Sequence, residues 1–298
     1  MNHPDSSQRI VVGVDGSKDA LQAALWAAEL AQRRGTGVHL LHALNLTGAG
    51  SLVSRLPFDE YRRSQTEHAE EMLDAVRAEL QGRFPDLPVV TEIATDEPVE
   101  TLVAATRLAA LTVLGTRGRG GFPTLGIGSV GLRVAAHCHG PIILVPGGDG
   151  PASGGPGGEI VLGVAEREPA AVVDFAFAVA EESGAHLRAV HAWQPIPPYN
   201  GYYFVDPAIL AAEAESVLTA VLKPARHAHA AVPAIAESVC ATPAAALVDA
   251  ARGARLLVLG AHRQRSPLSV GVGSVLHALL THAPCPVAVV PFGVRVDA

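Results

Sequence analysis

The sequence predicts an α/β fold made of two tandem open parallel five-stranded sheets with helices on both faces. Three observations carry that prediction. The chain is written twice, short apolar runs alternate with longer helical patterns in each copy, and the 298 residues are 49 % hydrophobic but only 4 % aromatic. Cores of Ala, Val and Leu on buried parallel strands have that composition. The repeat is visible strand by strand: IVVGVDGS from Ile10 answers IVLGVAER from Ile160, and VHLLHAL ending at Leu44 answers HLRAVHAW ending at Trp193. LTVLG ending at Gly115 answers LLVLG ending at Gly260, and PIILVP from Pro141 answers PVAVVP from Pro286. The offset drifts only from 150 at Gly13 and Gly163 to 145 at Pro141 and Pro286, as expected of one duplicated domain. Between the copies PGGDGPASGGPGG is nearly all Gly and Pro, a linker composition. The expected organisation is therefore a first domain over 1–146, a linker over 147–158 and a second domain over 159–298.

Taken in order, each half should contain five strands and four helices, linked as right-handed βαβ units. Ser17 can cap a first helix with Leu21, Ala24, Leu25 and Ala28 on one face, and Gly35 can end it. The counterpart starts at Pro169 and ends near Gly184; Asp206-Pro207 and Thr242-Pro243 are further cap-plus-proline helix starts. In such a sheet the carboxyl ends of the strands gather on one edge, where ligands bind. Asp15 follows the first strand and Gly115 the fourth, so both fall on that edge. The closing strands would be edges in isolated domains, and pairing them across the halves gives an expected intrachain pseudo-dimer that can dimerise again.

Composition excludes several classes. A formal charge of −7 disfavours nucleic-acid binding, which depends on clustered Lys and Arg. The mean hydropathy of +0.27 reads as buried sheet, because no apolar run reaches transmembrane length. The polar N-terminus MNHPDSSQR has no signal pattern, which predicts a cytoplasmic protein. Cys138, Cys240 and Cys285, odd in number and without a CxxC pair, read as small buried thiols in a reducing compartment. The cluster His137-Cys138-His139 is read as a helix end, because the matching stretch His282-Ala283-Pro284 keeps one of the three, so no metal site is expected.

The segment Gly115 to Ser129, GTRGRGGFPTLGIGS, carries the strongest functional signal. Gly115, Gly118 and the Gly128-Ser129 pair form a G-x2-G-x9-G-S array that predicts a phosphate cradle. Glycines allow positive φ and close backbone approach, Arg117 and Arg119 add charge, and Ser129 can open a helix with free N–H groups. The array lacks the lysine step of a Walker A loop and the position of a dinucleotide fingerprint. Together with VGVDGS around Asp15 and the tandem plan, it resembles the universal stress protein family over nearly the whole chain.

The resemblance implies a Rossmann-like, adenine nucleotide alpha hydrolase-like fold. It also implies that the first half binds ATP, with Mg²⁺ as a plausible companion. Adenosine would lie near Gly13, Val14 and Asp15 and near Ala43 at the end of the second strand; the phosphates would lie on Gly115, Arg117, Gly118, Gly128, Ser129 and Val130. In the second half Ala165 stands where Asp15 does, and Arg263 replaces the second glycine, while Gly260, Gly273, Ser274 and Val275 remain. Losing a hydrogen bond to a charged group costs about 1.5–3 kcal/mol, so this second set reads as degenerate; the opposing reading has Arg263 and Arg265 adding phosphate contacts.

The function expected is an ATP-binding, nucleotide-dependent regulator of stress response acting on an unidentified protein partner, as a homodimer and without nucleic acid or membrane. No base or nucleophile stands in the glycine loop, so catalysis is expected to be absent or at most a weak ATPase. The alternatives are a slow ATPase or nucleotidyl-transfer enzyme on the same site, and a ligand-free interaction scaffold. His42 and His191, at matching strand ends, read as structural. The aromatic run PPYNGYYFVD, with Tyr199, Tyr202, Tyr203 and Phe204, reads as a contact surface or a lid over the sheet edge.

Overall fold

The computed structural model describes residues 9–44, 58–118, 126–147, 158–195, 205–263 and 272–294. Arg119, Arg265 and the aromatic run from Tyr199 to Phe204 lie outside them. The chain divides into two compact units, one built mainly from the first half and one from the second.

The first unit contains β1 (Ile10–Gly13), α1 (Lys18–Arg34), β2 (Val38–Ala43), α2 (Phe58–Arg83) and β3 (Val89–Ala94). It continues with α3 (Pro98–Ala105), β4 (Leu111–Gly115), α4 (Ser129–His137) and β5 (Ile142–Val145). Its strands run in the order β3-β2-β1-β4-β5, with every neighbouring pair parallel. The second unit repeats the plan: β6 (Ile160–Gly163), α5 (Ala170–Ser183), β7 (Leu187–Trp193), α6 (Pro207–Ala228) and β8 (Ala234–Cys240). It ends with α7 (Pro243–Ala250), β9 (Leu256–Arg263), α8 (Ser274–His282) and β10 (Val287–Val294). Its order is β8-β7-β6-β9-β10, and β6 pairs in parallel with both β7 and β9.

Both units reverse strand order beside their first strand, between β1 and β4 and between β6 and β9. This is the switch point that opens a crevice at the carboxyl edge of a doubly wound sheet. The strands are short and apolar because both faces are covered: Ile10, Val12, Ile142, Ile160 and Leu162 are fully buried. Helix boundaries follow capping chemistry. Ser17 accepts the Ala20 N–H at 3.1 Å to start α1, and Gly35 and Gly184 end α1 and α5 at φ 63° and 59°. Asp206 and Thr242 cap α6 and α7, each followed by proline.

Two expectations need correction. α1 buries Ala20, Ala23, Ala24, Trp26, Ala27, Ala28, Leu30 and Ala31, a mostly alanine set that includes Ala24 and Ala28, while Leu21 and Leu25 are only half-buried. Small side chains dominate that set because β4 passes close: a Cβ on Gly115 would sit 2.7 Å from the Asp19 carbonyl carbon. Cys240, grouped with the buried thiols, is exposed at the end of the edge strand β8. Cys138 and Cys285 are buried, and burial pushes both thiols up to about 12.

Candidate functional site at the first sheet edge

The chain leaves β1 at Gly13, and Val14 extends the ladder by donating its N–H to Leu41 O at 2.9 Å. Val14 O accepts from His42 Nδ1 at 2.6 Å, which requires a proton on Nδ1. His191 makes the same bond to Val164 O at 2.8 Å in the second half. These bonds fix where the loops after β1 and β6 depart. Asp15 then accepts the Ser17 N–H at 3.0 Å, closing a turn in which Gly16 adopts φ 80°. Ala43 lies one strand away, at the end of β2 opposite Ala94.

From β4, Thr116 O receives the N–H of Gly128 at 2.7 Å, so the start of α4 is tied back to the strand end. Gly128 sits at the N-cap with no side-chain hydrogen bond, and Ser129 and Val130 open α4 with exposed side chains. Among the described residues, the first-turn N–H groups of α4 therefore lack the N-cap side-chain oxygen that Ser17, Glu97, Asp206 and Thr242 supply to α1, α3, α6 and α7. Gly118 closes the arrangement, since a Cβ there would sit 2.5 Å from Asp15 Oδ2. The structure thus brings Asp15, Gly115, Arg117, Gly118, Gly128, Ser129 and Val130 to one edge, beside the ends of β1 and β2.

The glycines act by close approach. Positive φ, the other property expected of them, occurs among the described residues at Gly16, Gly35, Gly184, Gly253 and Gly293, and at none of Gly115, Gly118, Gly128, Gly260 and Gly273. Gly115 is small because α1 presses on it, and Gly118 because the Asp15 carboxylate does.

Sequence reasoning missed Asp19. This carboxylate, in the first turn of α1, accepts the Arg117 N–H at 3.1 Å and the Thr116 hydroxyl at 3.3 Å, and pairs with Arg117 Nε at 3.4 Å. Arg117 also donates Nη2 to Gly147 O at 3.0 Å, and its own carbonyl accepts from Ser17 Oγ at 3.3 Å. Asp19 and Ser17 therefore hold the beginning of the glycine loop against α1. The only local sign was an acid in the first turn, where the helix dipole favours it.

The second half assembles the same edge differently. Ala165 presents no carboxylate, and Glu168, just before α5, accepts the Ala165 N–H at 2.9 Å. Glu168 Oε1 is buried beside Gly260 without a partner among the described residues, and burial raises the carboxyl above its usual range. Gly273 caps α8 without a side-chain bond, but no described atom comes within 4 Å of where its Cβ would lie. A cavity at this edge is lined by Gly260 and Val275, whereas Arg263, the last residue of β9, is not among its walls.

Near the end of α4, His137 Nδ1 bonds Arg133 O at 2.8 Å and Cys138 Sγ bonds Ala135 O at 3.6 Å, both back along the helix. Among the described residues no group of three His, Cys, Asp or Glu side chains could hold a metal ion, and no helix is long and apolar enough to cross a membrane.

A doubly wound parallel sheet with a switch-point crevice at its carboxyl edge defines a tandem α/β protein whose candidate site lies at that edge. The chain belongs to the universal stress protein family, whose model matches residues 6–146 and 158–291. A universal stress protein of Mycobacterium tuberculosis is 29 % identical, with 97 % of this chain and 99 % of the relative covered. One of Mycolicibacterium smegmatis is 28 % identical over 94 % and 96 %. The crystal structure of a universal stress protein from Archaeoglobus fulgidus superposes with a TM-score of 0.71 at 16 % identity, covering 97 % of this chain and 99 % of that one, a likeness of fold. Membership of this family suggests a role in stress response.

Proposed function

We propose that the first half binds ATP and that the protein is a nucleotide-dependent regulator of stress response. The observation that carries this reading is the uncapped start of α4, tied to the end of β4 beside the Asp15 carboxylate. Three features fit the nucleotide. The first-turn N–H groups of α4 at Ser129, Val130 and Gly131 suit phosphate oxygens. Asp15 and the end of β2 around Ala43 suit ribose hydroxyls and base N–H groups, which donate to carboxylate and backbone oxygens. The glycine positions let the backbone come close where a side chain would intrude. Bound Mg²⁺ would lean on phosphate oxygens and water.

Arg117 is engaged by Asp19 and Gly147, so in this reading it shapes the loop and adds positive potential nearby. The nucleotide would order the loop and the helix start, changing a surface read by a protein partner. In this reading the protein works in the cytoplasm as a homodimer.

The test is to denature freshly purified full-length protein, quantify the released nucleotide by chromatography and mass spectrometry, and titrate the stripped protein with Mg-ATP. About one ATP per chain, or saturable binding weakened tenfold to a hundredfold by Asp15→Ala, is expected. No retained nucleotide together with no saturable binding would overturn the reading, as would an Asp15→Ala variant of unchanged affinity. Sustained ADP release would convert the regulator into a slow ATPase.

A further inference from the structure

The second half holds a cavity of about 720 Å³ at its own sheet edge, walled by the loop after β6, the end of β7 and parts of α6 and α7. That volume is ample for a small-molecule ligand. Its side chains are mostly apolar, among them Leu210 and Val217 of α6, Leu247 of α7, Leu259 of β9 and the Trp193 indole. Leu210, Val217 and Trp193 are only half-buried, so apolar surface stays open here, and a ligand that covers it gains the free energy of burial.

The enclosed polar groups of this wall are already committed. Trp193 donates Nε1–H to Ser238 Oγ at 3.0 Å, so its ring is held in place and its one donor is spent. The buried His191 commits Nδ1 to Val164 O at 2.8 Å. The Ala165 N–H, which the loop after β6 could otherwise offer to an anion, goes to Glu168 Oε2 at 2.9 Å, and Glu168 Oε1 is closed off beside Gly260. The remaining polar side chains, Glu166, Arg167, Glu213 and Gln194, are exposed. Charges in water attract a ligand ion weakly, whereas the Gln194 amide offers an uncharged donor and acceptor.

The start of α8 borders the cavity at Val275, and Gly273 gives that helix no side-chain cap. It is built unlike the start of α4. The Gly128 N–H bonds Thr116 O, which would lie 3.4 Å from a Cβ on Gly128, whereas no described atom lies within 4 Å of a Cβ on Gly273. Ala165 also stands where the first half has Asp15. The geometry proposed above to receive a nucleotide is therefore not repeated.

We propose that this cavity binds an uncharged small molecule, an aromatic ring whose short side chain carries one hydroxyl or amide. The ring stacks on the fixed Trp193 indole, the carbon chain covers Leu210 and Val217, and the polar end reaches the Gln194 amide and water.

The chain has two tryptophans, Trp26 and Trp193, so a full-length Trp26→Phe variant reports this cavity alone by fluorescence. It is titrated with 3-phenylpropanol, its anionic analogue 3-phenylpropionate and its cationic analogue 3-phenylpropylammonium, and calorimetric titration of the parent protein repeats the ranking. The alcohol is expected to give a saturable change, about fivefold tighter or more than either ion. Val217→Gln, which sets an amide in the apolar wall at a half-buried helix position, should weaken the alcohol about fivefold. Leu210→Ala, which only removes wall, should weaken it about threefold or more. No saturable response to the alcohol would overturn the proposal. So would either ion, or Mg-ATP, binding at Trp193 as tightly as the alcohol, or an affinity that survives both substitutions. The Asp15 experiment reads the other half of the chain, so either reading can fail alone.

Discussion

In the first half an aspartate from the first turn of α1 reaches forward to the glycine loop and takes the Arg117 N–H at 3.1 Å. In the second, a glutamate just ahead of α5 turns back and takes the Ala165 N–H at 2.9 Å. Both acids lie against the matching glycine of the fourth strand of their sheet, Gly115 at the end of β4 or Gly260 within β9. The first acid organises the loop beside an uncapped helix start; the second occupies a donor near its own cavity. The difference teaches that a repeated framework with matching glycines does not repeat the hydrogen bonds at its edge. Which backbone N–H the acid captures decides which loop it holds: the one after β4 in the first half, the one after β6 in the second.

The largest effect should come from Gly115→Ala. Its Cβ would meet backbone atoms of Asp19 and Ala20 at 2.7–2.9 Å, and backbone cannot swing aside, so a loss of about 3 kcal/mol is expected in denaturant unfolding. Gly260→Ala meets the Glu168 carboxyl and the Phe292 ring, side chains that can shift, and should lose about 1 kcal/mol. Equal losses would break the comparison.

Next is Asp19→Ala, which leaves the Arg117 N–H and the Thr116 hydroxyl without their acceptor and should cost about 2 kcal/mol. Its sharper reading is functional: Mg-ATP affinity should fall although Asp19 is not placed against the nucleotide. An unchanged affinity would show that the loop does not need this tether.

The smallest effect is pH-dependent. Burial raises the native Glu168 carboxyl above its unfolded value, so the folded state keeps a proton that the unfolded chain releases. The resulting stability is fully present below the unfolded value and is lost as pH climbs through the raised native one. Glu168→Gln should therefore unfold at higher denaturant than the parent at pH 7, and the gap should close as the pH falls through the raised native value. A gap that widens on acidification would contradict the burial of that carboxyl.

The fold was legible because its signals are local: apolar runs of strand length, cap residues such as Ser17, Asp206 and Thr242, and a repeat offset that barely drifts. The residues gathered at the first edge were legible too, because strand ends in a doubly wound sheet must meet there. What escaped was set by contacts distant in sequence. Asp19 reaches a loop 98 positions away, and nothing around it announces that partner. Glu168 matters through Ala165 and Gly260, of which pattern reading counted the first as a lost carboxylate and the second as a retained glycine. The face of α1 was misjudged because leucine spacing marks hydrophobicity, whereas the strand beneath selects for thinness.

That thin alanine face limits how this architecture can change. A helix seated so near its sheet has little slack to shift, and six of the eight residues it buries are alanines, whose side chains are already methyl groups. New chemistry has to be written in the connecting segments. The duplicated chain shows this: a turn that reads Asp-Gly-Ser after β1 reads Ala-Glu-Arg after β6. A designer seeking a third specificity on this scaffold should leave the helices alone and edit those three residues first.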